Sequence, residues 1–144
     1  MSLKRIIGFV IFLTIICTTM LVCTACEQKK ELDYYIEKDN YIEVRGTISS
    51  VKYNEDKTAL YLNFSQLEPK LDDNCFKIVG DNLAIVQNNG IDELIREGDQ
   101  VLFVTAPRYF GDGYVMPIVA ITVNEDVLLE FADGYDNWIN WLRE

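Results

Sequence analysis

An uncharged, mostly apolar run from Ile6 to Val22, led by Lys4-Arg5 and closed by Cys23-Thr24-Ala25-Cys26, decides what the rest of this chain can be. A basic start, an apolar centre and small residues before a cleavage point describe a secretory signal. Such a segment adds nothing to a water-facing core, so the folded part begins after it. Ile6 to Ala25 is also about long enough to span ~30 Å of hydrocarbon, which leaves an uncleaved transmembrane helix open as the alternative. In both cases Lys4 and Arg5 stay on the cytoplasmic side and everything after Cys26 lies outside.

The closing residues resemble the lipobox of bacterial lipoproteins, in which signal peptidase cuts before a cysteine that carries a diacylglycerol. Thr24 and Ala25 fill the small-residue positions, and Cys23 stands where that family usually has Leu. Cys17 and Cys23 follow Ile16 and Val22, which are bulky beside a scissile bond. The resemblance therefore implies residues 1–25 as signal peptide, Cys26 as the lipid attachment site and residues 26–40 as a lipidated tether. Acyl chains at ~0.8 kcal/mol per buried methylene hold a protein to a membrane durably when there are two of them.

Cysteine usage agrees with export. Cys23 and Cys26 have C-x-x-C spacing, but no redox or zinc motif belongs at the end of a signal. After cleavage only Cys26 and Cys75 remain, and a blocked Cys26 leaves Cys75 without a disulfide partner. Cys75 reads as a small buried hydrophobe at a strand start, with a reactive thiol as the alternative.

Residues 26–144 suffice for one domain with a real core. They carry 11 Lys+Arg against 23 Asp+Glu, a net charge of −12. That balance disfavours nucleic acid and anionic polymers, whose binding needs Lys/Arg to release counterions. It favours cations and basic surfaces, and it also serves solubility alone.

From Tyr41 the hydrophobic period is two. Ile42, Val44, Gly46 and Ile48 share one face, opposite Glu43, Arg45 and Thr47. Gly46 and Ser49-Ser50 are places for a bend or bulge. A polar turn at Asn54-Glu55-Asp56-Lys57 leads to a return strand with Leu60, Leu62 and Phe64 on one side. A third strand starts at Phe76 and is expected to run to Val86 past a kink at Gly80. A helix follows from Ile91, stopped by Gly98 as an αL cap. Val101 to Ala106 is expected as a central strand, Arg108 to Gly113 as a loop, and Tyr114 to Val123 as a fifth strand with Pro117 marking an edge or bulge. Val127 to Phe131 is expected as a sixth strand. Tyr135, Trp138, Ile139 and Leu142 recur at helical spacing behind Asp133 or Asp136 as N-cap, and Leu32, Tyr35 and Ile36 do so in the tether.

Val44-Arg45-Gly46-Thr47-Ile48 resembles the first-strand V-x-G-x-I of small OB-fold proteins, and Leu94 to Val101 resembles their helix, Gly-Asp, strand entry to strand four. The resemblance covers residues 41 to 123. It implies a mainly β domain over residues 41–144: a five- to six-stranded OB-like barrel, one helix between strands 3 and 4, and a short C-terminal helix. It also implies a ligand face on strands 2 and 3 with the loops joining strands 1–2 and 4–5. Those positions offer Tyr61, Arg108, Tyr109, Phe110 and Tyr114. Aromatic rings with one Arg can stack on a sugar, a base or a peptide side chain, or simply cover the barrel end.

The chain contains no histidine. Ser-His-Asp and Cys-His catalysis, imidazole zinc sites and the usual neutral-pH base are excluded. No phosphate-cradling or dinucleotide motif occurs. Asp72-Asp73-Asn74 and Asp133 to Asn137 do not meet the calcium-loop pattern. No catalytic residue, metal or cofactor is expected. The reading is a membrane-anchored, extracytoplasmic, non-enzymatic binding or adaptor module for a protein, peptide or cation-bearing molecule. The alternatives are a metal-assisted hydrolase using clustered carboxylates with Arg108, or an accessory subunit of an envelope complex.

Overall fold

The alternation that begins at Ile42 produces β1 (Ile42–Tyr53), whose Val44, Gly46 and Ile48 are buried while Glu43 and Arg45 face water. The computed structural model describes residues 3, 7, 10, 11, 29, 31–111 and 113–144. Cys26 and nearly all of the signal lie outside these residues. The chain divides into two units, Met1–Tyr34 and Tyr35–Glu144. In the first, Leu3, Ile7, Val10 and Ile11 are helical and exposed. Among the described residues no helix is long and apolar enough to cross a membrane.

The second unit is mainly β. Helical residue 36 and a 3-10 turn at Lys38–Asn40 bring the chain into β1. Asn54 closes the next turn with its own side chain, its Oδ1 accepting from the Thr58 and Ala59 amides at 2.8 and 3.0 Å. β2 (Ala59–Glu68) returns antiparallel to β1, with register shifts around Thr47, Ile48 and Ser50, where the sequence predicted a bulge. β3 (Cys75–Val79) pairs antiparallel with β2. Two helices follow, α1 (Gly80–Asn88) and α2 (Ile91–Leu94). β4 (Gln100–Thr105) lies between β1 and β6 (Ala120–Val123). β5 (Met116–Pro117) runs parallel to β3, β7 (Asp126–Leu129) flanks β6, and α3 (Phe131–Arg143) ends the chain.

One buried apolar cluster holds these elements together. Phe64 and Phe103 stack at 4.7 Å, and Phe76 meets both edge-on at 5.4 and 4.8 Å. Rings at these spacings gain about 0.5–1.5 kcal/mol per pair beyond their burial. Gly46 makes room for them: a Cβ there would lie 2.4 Å from Phe64 Cδ1. The central glycine of Val44 to Ile48 is thus a packing requirement. A second aromatic layer lies under α3, where Trp138 stacks on Trp141 at 5.4 Å and meets Tyr35 edge-on at 5.2 Å.

Five expectations need correction. The sheet has seven strands, not five or six, in the open order β5-β3-β2-β1-β4-β6-β7, and it is not a closed barrel. The fifth strand is split. Pro117 has no amide to extend the ladder, so β5 ends after two residues, and the chain crosses over. The Ile118 amide donates to Lys77 O at 3.1 Å and the Val119 amide to Val104 O at 3.0 Å. Residues 80–86, expected as strand, belong to the helix α1. Gly80 takes a φ of 58°, which turns the chain out of β3, and Leu83 and Val86 then bury one helical face.

The helix expected from Ile91 to Gly98 is only α2. Ile95 is already extended, and Gly98 belongs to a later turn in which the Arg96 amide donates to Asp99 Oδ2 at 2.8 Å. Finally, α3 starts at Phe131 behind Glu130, with no side-chain cap, so neither Asp133 nor Asp136 is its N-cap. Tyr135, Trp138 and Ile139 are buried on it as their spacing predicted.

Candidate functional site

The loop between β2 and β3 (residues 69–74) and the loop between β4 and β5 (residues 106–115) lie at the same end of the sheet. This follows from register: Glu68, at the end of β2, opposes Arg45, and Thr105, at the end of β4, opposes Ile42 on the same stretch of β1. Two open grooves result. One, about 360 Å³, lies between residues 64–67 of β2 and residues 70–74. The other, about 510 Å³, lies between residues 70–72 and residues 107–109, with Met116 as its apolar side. Lys70, Leu71 and Asp72 separate the two and line both.

The 106–115 loop is held at three points. The Tyr35 hydroxyl donates to Arg108 O at 2.8 Å. The Phe110 amide donates to Val115 O at 3.2 Å, closing the loop across its base. The Phe110 ring is buried against Trp138 at 4.7 Å and Trp141 at 5.8 Å. With its neighbours pinned, Tyr109 stays at the surface and meets Tyr114 edge-on at 5.3 Å. Tyr109 is 38% exposed and Tyr114 is 74% exposed. Loss of hydration and the carboxylates of Asp73 and Asp72 push the Tyr109 phenol above its ordinary range. The tyrosine rim therefore stands beside two acids from the other loop.

The sequence-predicted residues separate into two groups. Arg108 and Tyr109 line the larger groove, and Tyr114 joins them through its ring contact. Tyr61 and Phe110 are linked instead by Lys77, whose Nζ stands 5.4 Å and 5.5 Å from their ring centres. Phe110 supports the loop from inside rather than lining the groove. The turn between β1 and β2, expected beside the site, lines neither groove. Its end of β1 packs elsewhere, with the Tyr53 hydroxyl donating to Asp92 Oδ1 at 2.6 Å.

Lys70, Asp72, Asp73 and Lys77 were not singled out as site residues. Asp72 and Asp73 had the local signature of a turn, and nothing local marks them as neighbours of Tyr109. Cys75 is half-buried at the start of β3, and burial together with Asp73 raises its thiol pKa. That keeps the thiol protonated and weakens it as a nucleophile. Among the described residues no group of three Cys, Asp or Glu is placed to hold a metal ion. Exposed rings, two carboxylates and two basic side chains around open grooves can bind by stacking, cation–π contact and ion pairing. No protein family matches this chain, and no curated protein or solved structure is significantly similar to it.

Proposed function

We propose that this chain is a membrane-anchored extracytoplasmic lipoprotein whose domain is a non-enzymatic binding module for a protein, peptide or cation-bearing ligand. The observation that carries the binding reading is the exposed Tyr109–Tyr114 pair set beside Asp72 and Asp73. Aromatic faces and carboxylates together favour a cation through quadrupole and charge. The net charge of −12 on residues 26–144 adds long-range attraction of the same sign. The anchor reading rests on the basic start, apolar run and Thr24-Ala25-Cys26 ending of the signal.

We read the sheet as a variant of the OB arrangement. The β1–β2–β3 meander and the β1–β4 pairing support this. So does the segment 116–123, which pairs parallel with β3 and then antiparallel with β4, so that one stretch of chain touches both flanks.

Spermidine, a compact polycation, titrated into the full chain in uncharged nanodiscs tests the binding reading. Saturable binding is expected, weakened at least fivefold by Tyr109→Ala with Tyr114→Ala. Binding that ignores the double substitution, or none at all, removes the tyrosine groove from consideration. For the anchor, Cys26→Ala is expected to abolish metabolic labelling with palmitate; label retained in that variant moves the lipid elsewhere.

A further inference from the structure

The smaller groove coincides with a break in the sheet. β3 pairs with β2 only from Ala59↔Val79 to Asn63↔Cys75. One more rung follows, in which the Phe64 amide donates to Asn74 O at 3.0 Å and the Asn74 side-chain amide donates to Phe64 O at 2.9 Å. There the chain leaves the ladder as the 69–74 loop. Residues 65–68 remain within β2, with Gln66 to Glu68 paired with β1 from Thr47↔Gln66 to Arg45↔Glu68 and Ser65 at the register shift. Among the described residues no backbone hydrogen bond reaches 65–68 from the β3 side. Ser65, Gln66 and Glu68 are exposed. The space beside this free edge is the 360 Å³ groove, walled on its far side by residues 70–74.

We infer that residues 65–68 accept an extended polypeptide segment as an added strand, and that this segment carries Lys or Arg. The inference rests on the binding-module reading and names its partner class. Four residues at ~3.3 Å each give an edge of roughly 13 Å, enough for a short added strand. Main-chain hydrogen bonds to such an edge supply affinity, and alternate side chains supply selectivity. The charge of the facing wall sets that selectivity. Asp72 and Asp73 line it against a single opposing Lys70, on a domain of net charge −12. A second copy of this chain would bring the same acidic wall against itself, so self-pairing is disfavoured by charge. Flanking Glu68 and Lys70 are charged gatekeepers of the kind that keep an open edge from pairing at random.

The test uses the full chain in uncharged nanodiscs and the peptide acetyl-(Lys-Val)4-amide. Two comparison peptides are N-methylated at every Lys amide or at every Val amide, which leaves side chains and charge intact. The parent peptide is expected to bind and to slow hydrogen exchange at 65–68. One N-methylated peptide should bind at least tenfold more weakly, and Asp72→Lys with Asp73→Lys should weaken the parent to a similar extent. Equal binding by all three peptides overturns the added strand. So does protection confined to residues 107–114, a result that leaves the tyrosine groove standing. Failure of the parent peptide to bind also overturns it, while the spermidine titration decides the module reading separately. Concentration-dependent self-association that protects 65–68 without peptide overturns the choice of partner.

Discussion

Replacing Gly134 with Ala should unfold this domain more readily than its mild chemistry suggests. Gly134 is buried in α3, directly over the crossover between β5 and β6. A Cβ there would stand 1.8 Å from Val119 O and 2.7 Å from its carbonyl carbon. Carbon and carbonyl oxygen approach no closer than ~3.3 Å, so the helix must retreat by roughly 1.5 Å. The obstacle is backbone, which has no rotamer to change. Overpacking of this kind costs about 3 kcal/mol at the upper end of its usual range. Retreat also strains the bond from the Asn82 side-chain amide to Gly134 O, 2.8 Å long and buried, worth about 1 kcal/mol net.

Better helix propensity returns about 1 kcal/mol. The balance is a loss of about 3 kcal/mol, which lowers the melting temperature of a domain this size by roughly 10–15 °C. Thermal melting in mild detergent, followed by near-ultraviolet circular dichroism, measures it. Ala132→Gly, at an exposed position of the same helix, is the control and should cost about 1 kcal/mol. A Gly134→Ala protein that melts at or above the wild-type temperature refutes the close approach of α3 to Val119.

Two further outcomes follow from the packing and the charges. Tyr53, Tyr109 and Tyr135 all have phenol pKa values raised above 10.0, burial being the leading cause, with Asp92 beside Tyr53, Asp73 beside Tyr109 and Asp136 beside Tyr135. The folded state therefore holds these protons more tightly than the unfolded chain. The stability they contribute is complete below pH 10 and is lost as pH rises through the native values. Alkaline melting curves should fall above pH 10, less steeply in Tyr53→Phe; parallel curves for the two proteins contradict the Asp92 contact. Phe110→Ala should cost about 3–5 kcal/mol because it empties a buried site against both indoles. Tyr114→Ala, at an exposed rim, should change stability by no more than about 0.5 kcal/mol. Equal losses in the two proteins would mean that the loop is not divided into a supporting ring and a surface ring.

What the sequence revealed about this fold follows its local periods. The alternation from Ile42 to Ile48 and the helical spacing of Tyr135, Trp138 and Ile139 each describe one face of one element, and both are present. The strand expected over residues 80–86 failed because Leu83, Ile85 and Val86 satisfy strand and helix patterns alike, and the deciding feature is the backbone turn at Gly80. The strand split at Pro117 was visible as an irregularity, but its consequence was not, since it depends on two partners forty and thirteen residues away, Lys77 and Val104. The site divides similarly. Tyr109 and Tyr114 were legible as aromatic residues of a glycine-rich loop. The acids beside Tyr109 come from a loop more than thirty residues earlier, which only the register of β2, β1 and β4 brings near.

Both tryptophans of the chain stand in one stack, 5.4 Å apart and 12° from parallel, with the Phe110 ring against them. All indole emission and any exciton coupling between the pair thus originate at the inner side of the 106–115 loop. The molecule carries a built-in optical probe on the segment whose outer side bears Tyr109. Ligand capture there can be watched in the unlabelled protein.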